Sequence, residues 1–156
     1  MRAAALVGIA GAAAPALAAD SKKYPKPAVE KGYVDGPFGQ IHYRKTGSGT
    51  PLVMCHQSPN SSAMFEAAYP RFAARGIMVI ALDTPGYGMS DTPPGQPTIP
   101  EFAAAIGAVM DAFKLKRTML LGHHTGGNVA ADFAHRNPAR ITKLVLSAPR
   151  IPTEAE

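Results

Sequence analysis

One cysteine and no long run of like charge: each shortage in this 156-residue chain closes off a class of protein. The single thiol, Cys55, cannot close a bridge within the chain, so a disulfide framework is excluded. Lys and Arg are scattered, with no basic run longer than Lys22-Lys23 and no aromatic interleaving. The net charge of +5 is therefore read as a solvated basic surface, and no nucleic-acid partner is expected. Beyond the N-terminal segment no apolar run reaches membrane-spanning length. No internal repeat and no low-complexity tract is present. At 46% hydrophobic and 17% charged residues, the composition is globular and the length suits one domain.

What is abundant is punctuation. Fifteen glycines and fifteen prolines fall at segment boundaries rather than in one block, as in an ordered fold with many turns. The first residues, MRAAALVGIAGAAAPALA, combine one basic residue, an Ala-rich apolar stretch and a small-x-small site at Ala16-Leu17-Ala18. That layout predicts a signal peptide over residues 1–18 and a periplasmic or secreted protein. Residues 19–27, ending in SKKYPKP, read as an exposed leader, and 28–156 as the folded domain.

Four short runs are apolar without alternation: Leu52 to Cys55, Ile77 to Leu82, Met119 to Leu121 and Leu144 to Leu146. Strands covered by helices on both faces of a parallel sheet look like this. Cys55 closes the first run, so it is read as a small buried side chain rather than a reactive thiol. Gly39 to Lys45 alternates, with Ile41 and Tyr43 against His42 and Arg44, and predicts a strand nearer the sheet edge. Val29 to Val34 is a further strand candidate. Between the runs lie helices. Thr98-Ile-Pro-Glu101 is a capping-box signature, followed by Ile99, Phe102, Ile106, Val109, Met110 and Phe113 at helical spacing. Ser62 to Ala74 predicts a second helix, interrupted by Pro70 and stopped by Gly76. Gly126 to Arg136 predicts a third, ended by Asn137-Pro138. The alternation of strand and helix gives an α/β fold with a doubly wound, mostly parallel sheet.

Sites in such sheets form at the carboxyl ends of the strands. Three of those ends carry distinctive sequence: His56-x-x-Pro59 within CHQSPNSS, the loop DTPGYGMSD over residues 83–91, and the glycine-framed LLGHHTGG over residues 120–127. The frame Gly122-His-His-Thr-Gly126 has the spacing of a strand-turn-helix elbow, with His124 at its tip. Together, in this order and each after the corresponding strand, the three motifs resemble the α/β-hydrolase superfamily. The branch most similar holds esterases, C–C hydrolases, haloalkane dehalogenases, epoxide hydrolases and peroxidases.

The resemblance covers residues 30 to 150. It implies a sheet ordered 2-4-3-5-6, with the first strand outside the second. It also implies a small organic substrate, with backbone amides of Ser58 and Thr125 as donors to a developing oxyanion. Gln57 stands where the family has glycine, and His56 orients its loop. His56, Gln57, Asn60 and His123 are the further pocket residues on this reading. Asp83, Ser90 and Asp91 shape the sheet end and take no part in catalysis.

Family members carry Ser, Cys or Asp where this chain has His124, and histidine supports neither acyl transfer nor displacement at carbon in its usual form. Three readings stay open. His124 is itself nucleophile or general base, kept neutral by the positive end of the following helix. Alternatively, hydrolysis has been lost and the pocket serves a binding or interaction protein. The third reading, metal ligation with His56 or His123, lacks a carboxylate or cysteine to complete a ligand set. No metal and no cofactor is expected.

The family completes its triad with an acid and a histidine further along the chain than Glu156. Glu154 and Glu156 are the only carboxylates after the Leu144 run, and His135 lies on a helix leading away from the elbow. The expectation is a hydrolase fold truncated after about the sixth strand, a fragment of a longer enzyme. Its last strand would form an open apolar edge through which two copies could pair.

Overall fold

In a computed structural model, residues 23–149 are described. The signal-peptide segment, the start of the leader and the tail with Glu154 and Glu156 lie outside them. Six strands form one sheet: β1 (Val29–Gly36), β2 (Gly39–Thr46), β3 (Thr50–Cys55), β4 (Ile77–Leu82), β5 (Thr118–His123) and β6 (Ile141–Ser147). The order is β1-β2-β4-β3-β5-β6. β4, β3, β5 and β6 are mutually parallel, while β2 pairs antiparallel with both β1 and β4. Each apolar run in the sequence is a strand, and the expected order is the observed one.

The central strands are buried because both faces are covered. Three helices pack on the sheet: α1 (Tyr69–Ala73), α2 (Ile99–Ala112) and α3 (Thr125–Arg136). On one face Val53, Cys55, Ile80, Leu82 and Leu120 meet Ile106, Val109 and Met110 of α2 and Val129 and Phe133 of α3. On the other, Leu52, Met54, Val79 and Ala81 meet Phe65 and Tyr69. Each such aliphatic side chain contributes on the order of 1.5–3 kcal/mol by leaving water. α2 starts as its sequence predicts, with the Glu101 carboxylate accepting from Thr98 N at 2.7 Å and Thr98 Oγ1 at 2.8 Å.

One expectation needs correction. Ser62 to Ala74 is not one helix: a 3₁₀ turn spans Ser62–Phe65 and α1 begins only at Tyr69. Pro70 falls in the first turn of α1, where its missing N–H is harmless, whereas a continuous helix would set its ring against an upstream carbonyl. The alternating strand is β2, near the end of the sheet as expected. β2 lies between β1 and β4, and His42 is 1% exposed, as is its neighbour Ile41.

β6 is the edge. Leu144, Val145 and Leu146 are 40%, 48% and 40% exposed, so its apolar side chains are half uncovered. Among the described residues, no helix is long and apolar enough to cross a membrane.

Candidate functional site

The carboxyl ends of β3, β4 and β5 bring three loops together. The tightest turn is the elbow from β5 into α3. His124, at its tip, has φ 51° and ψ −118°, a left-handed conformation that costs a side-chain-bearing residue about 1–3 kcal/mol. Packing holds it there. A Cβ on Gly122 would run into the Gly126 carbonyl oxygen, and one on Gly126 into the carbonyl oxygens of Cys55 and His56. Only hydrogen at these two positions lets β5, α3 and the β3 loop approach so closely. The His124 N–H donates to Ser147 O at 2.9 Å, and its carbonyl accepts from Gly127 N at 2.8 Å. The His124 side chain is exposed.

The loop after β3 is organised by His56, which is 1% exposed. Its Nε2 lies 3.0 Å from Thr84 N, which can only donate. Nε2 is therefore the acceptor, and Nδ1 carries the proton, donating to Gln57 O at 2.8 Å. Burial lowers the His56 pKa below the ordinary imidazole value against weaker opposing contributions from Gln57 and Asp83, favouring the neutral ring. Both ring nitrogens serve the protein, and His56 is a positioning residue.

Ser58, two residues on, donates its backbone N–H to Thr125 Oγ1 at 2.6 Å, joining the β3 loop to the first residue of α3. Asn60 accepts from Ser61 N at 2.8 Å and is exposed. His123 Nδ1 lies 3.0 Å from Ser147 Oγ.

Asp83 fixes the third loop. Its Oδ1 accepts from Ser62 N at 2.6 Å, and its Oδ2 from Met89 N at 3.0 Å, with His42 Nδ1 at 2.8 Å. Burial raises the carboxyl pKa, but these hydrogen bonds outweigh it and hold Asp83 below the ordinary carboxylate value. Ser90 Oγ donates to Asp83 O at 2.7 Å and accepts from His42 N at 2.9 Å. Serine, histidine and aspartate are thus neighbours here, yet the serine bonds backbone and not the imidazole. The cluster is a brace between β2, β4 and the two loops. Cys55, fully buried, has its thiol pushed up to about 12 by burial and is inert at neutral pH.

Between the loops lies a cavity of 210 Å³, walled by His56, Ser58, Thr84, Tyr87, Ile99, Phe102, Thr125, Gly126 and Val129. Of the residues expected at the site, His56, Ser58 and Thr125 share that wall, while Gln57, Asn60, His123 and His124 are not among its lining residues. The sequence reading missed its apolar half. Ile99 and Phe102 carry helical spacing and read as core, and Tyr87 sits in a loop that reads as purely structural. The only signal was position, since each lies just beyond the carboxyl end of a strand or at the start of a helix. Among the described residues, no group of three or more His, Cys, Asp or Glu is arranged to hold a metal ion.

Comparison with known proteins gives the same outline. A family model described as alpha/beta hydrolase fold matches residues 50–156. A 2-hydroxy-6-oxononadienedioate/2-hydroxy-6-oxononatrienedioate hydrolase of Burkholderia vietnamiensis is 36% identical over 117 residues, covering 72% of this chain and 41% of that protein. A haloalkane dehalogenase of Agrobacterium fabrum is 32% identical over 120 residues, covering 76% of this chain and 39% of that one. Among solved structures, an esterase from Exiguobacterium antarcticum superposes with a TM-score of 0.72 at 30% identity, covering 77% of this chain and 46% of the esterase. The chain spans less than half the length of the relatives it matches.

Proposed function

This chain belongs to the alpha/beta hydrolase fold family, and from that premise we propose an exported hydrolase acting on an ester or related bond of a small organic molecule. The observation that carries the reading is the strained His124 at the elbow tip beside an apolar cavity. Strain of this kind persists where the surrounding packing fixes it and clusters at functional turns. In the proposed reaction a His124 ring nitrogen adds to the ester carbonyl carbon and the C–O bond to the alcohol breaks. The alcohol leaves with the ring's N–H proton, and water hydrolyses the acyl-imidazole to the acid, restoring the neutral ring. Of the two amides that the family resemblance implies for the carbonyl oxygen, that of Thr125 serves it as charge develops, while that of Ser58 is bonded to Thr125 Oγ1 at 2.6 Å. Export rests on the layout of residues 1–18 and is checked by fractionation of the native host.

A second reading, a binding protein that keeps the pocket, draws on one feature. Among the described residues no side chain hydrogen-bonds the His124 ring, whereas a catalytic imidazole is ordinarily oriented by a partner. His124→Ala, assayed on a panel of small esters, separates the two. The enzyme loses turnover while its fold is retained. A complete, folded wild-type protein inactive on every ester would count against the enzyme and for the binding reading.

A further inference from the structure

The Ser58 amide, expected as an oxyanion donor, is already engaged. It donates to Thr125 Oγ1 at 2.6 Å, and both residues line the cavity. A backbone N–H has one proton, so a short bond to the hydroxyl leaves none for a ligand oxygen in the same arrangement. The hydroxyl, by contrast, accepts through a lone pair and still has its own O–H to direct. Accepting from Ser58 polarises that O–H and strengthens it as a donor. Thr125 is also the first residue of α3, so its backbone N–H has no acceptor within the helix.

We infer that Thr125 supplies both donors that the site offers to a ligand oxygen, its backbone N–H and its side-chain O–H, with the Ser58 amide acting from behind through the hydroxyl. The ligand is a carbonyl or carboxylate compound bearing a small aromatic or branched apolar group. Tyr87, Ile99, Phe102 and Val129 would receive that group, while the oxygen meets Thr125. The inference rests on the cavity being the substrate site and changes which atoms hold the oxygen there.

Benzoate is a suitable probe, combining an acceptor oxygen with a ring small enough for the cavity. The full chain, labelled with ¹⁵N, is titrated with benzoate while the amide resonances of Ser58 and Thr125 are followed. The expected result is a large shift at Thr125 and a small one at Ser58. Thr125→Ala should weaken benzoate by at least about tenfold, the scale of one hydrogen bond to a charged group, and Thr125→Ser should recover most of the loss. If Thr125→Ala binds benzoate as well as or better than wild type, with the large shift now at Ser58, the hydroxyl is a plug over the amide and the inference is overturned. Should that variant not fold, a wild-type titration in which Ser58 shifts more than Thr125 overturns it equally. A wild-type protein that responds to benzoate nowhere around the cavity removes the substrate-site reading itself, and this inference with it.

Discussion

The backbone N–H of His124 donates to the carbonyl oxygen of Ser147 at 2.9 Å, tying the elbow tip to the last residue of β6. The elbow is therefore not an isolated turn. Its left-handed tip is held from one side by β6 and from beneath by the close approach of Gly126 to the β3 loop.

Glycine at the tip should relax that strain. His124→Gly is expected to stabilise the fold by about 1 kcal/mol, the strain released less the chain entropy that glycine adds to the unfolded state. The midpoint of urea unfolding should rise at unchanged slope. A fall in the midpoint would mean that the imidazole makes stabilising contacts that offset the strain.

The brace at Asp83 predicts the opposite outcome. Asp83→Asn replaces a buried carboxylate that receives Ser62, Met89 and His42 with a group that cannot accept from all three, at a cost of about 3 kcal/mol. The pH dependence has a definite sign. The folded pKa of Asp83 is depressed, so its contribution is fully present above the ordinary carboxylate value, about 4. The contribution is lost as pH falls through the depressed folded value. Stability profiles of wild type and variant should converge at low pH. Parallel profiles down to the lowest pH at which the protein folds would rule out this linkage.

These two features differ in how far the sequence disclosed them. Gly122-x-His124-x-Gly126 is legible because steric demands at an elbow allow few residues, and the apolar strand runs are legible because only a doubly covered sheet tolerates them. The break at Pro70 was half legible: proline ruled out an uninterrupted helix, but not where the next one would start. His42 and Asp83 lie 41 residues apart and meet only through the pairing of β2 with β4, which no local pattern encodes. The cavity wall was hidden for a related reason. Ile99 and Phe102 have the periodicity of core residues, and only the placement of α2 beside the elbow turns them toward a cavity.

His56 titrates in a second window. Burial depresses its pKa, so the folded state resists protonation that the unfolded chain accepts below about pH 6.5. Its contribution is complete above that value and declines as pH falls toward the lowered folded pKa. Wild-type stability should therefore slope downward as pH falls below about 6.5, and in His56→Ala that part of the slope should flatten. An unchanged slope in the variant would assign it to another histidine.

Among the described residues β6 pairs only with β5, and its Leu144, Val145 and Leu146 are 40%, 48% and 40% exposed. Unpaired strand N–H and C=O groups beside apolar side chains form a template for another strand, and a second copy of the chain offers the same edge. For a polypeptide of these 156 residues, self-association that grows with protein concentration is the expected behaviour in sedimentation velocity. Lysine is the residue that natural edge strands use against such pairing, because its charge would be desolvated between two strands. Val145→Lys, on a side chain 48% exposed, should lower the associated fraction while costing the monomer less than about 1 kcal/mol. An associated fraction that Val145→Lys leaves untouched would place the contact away from β6, and the sheet edge would no longer explain it.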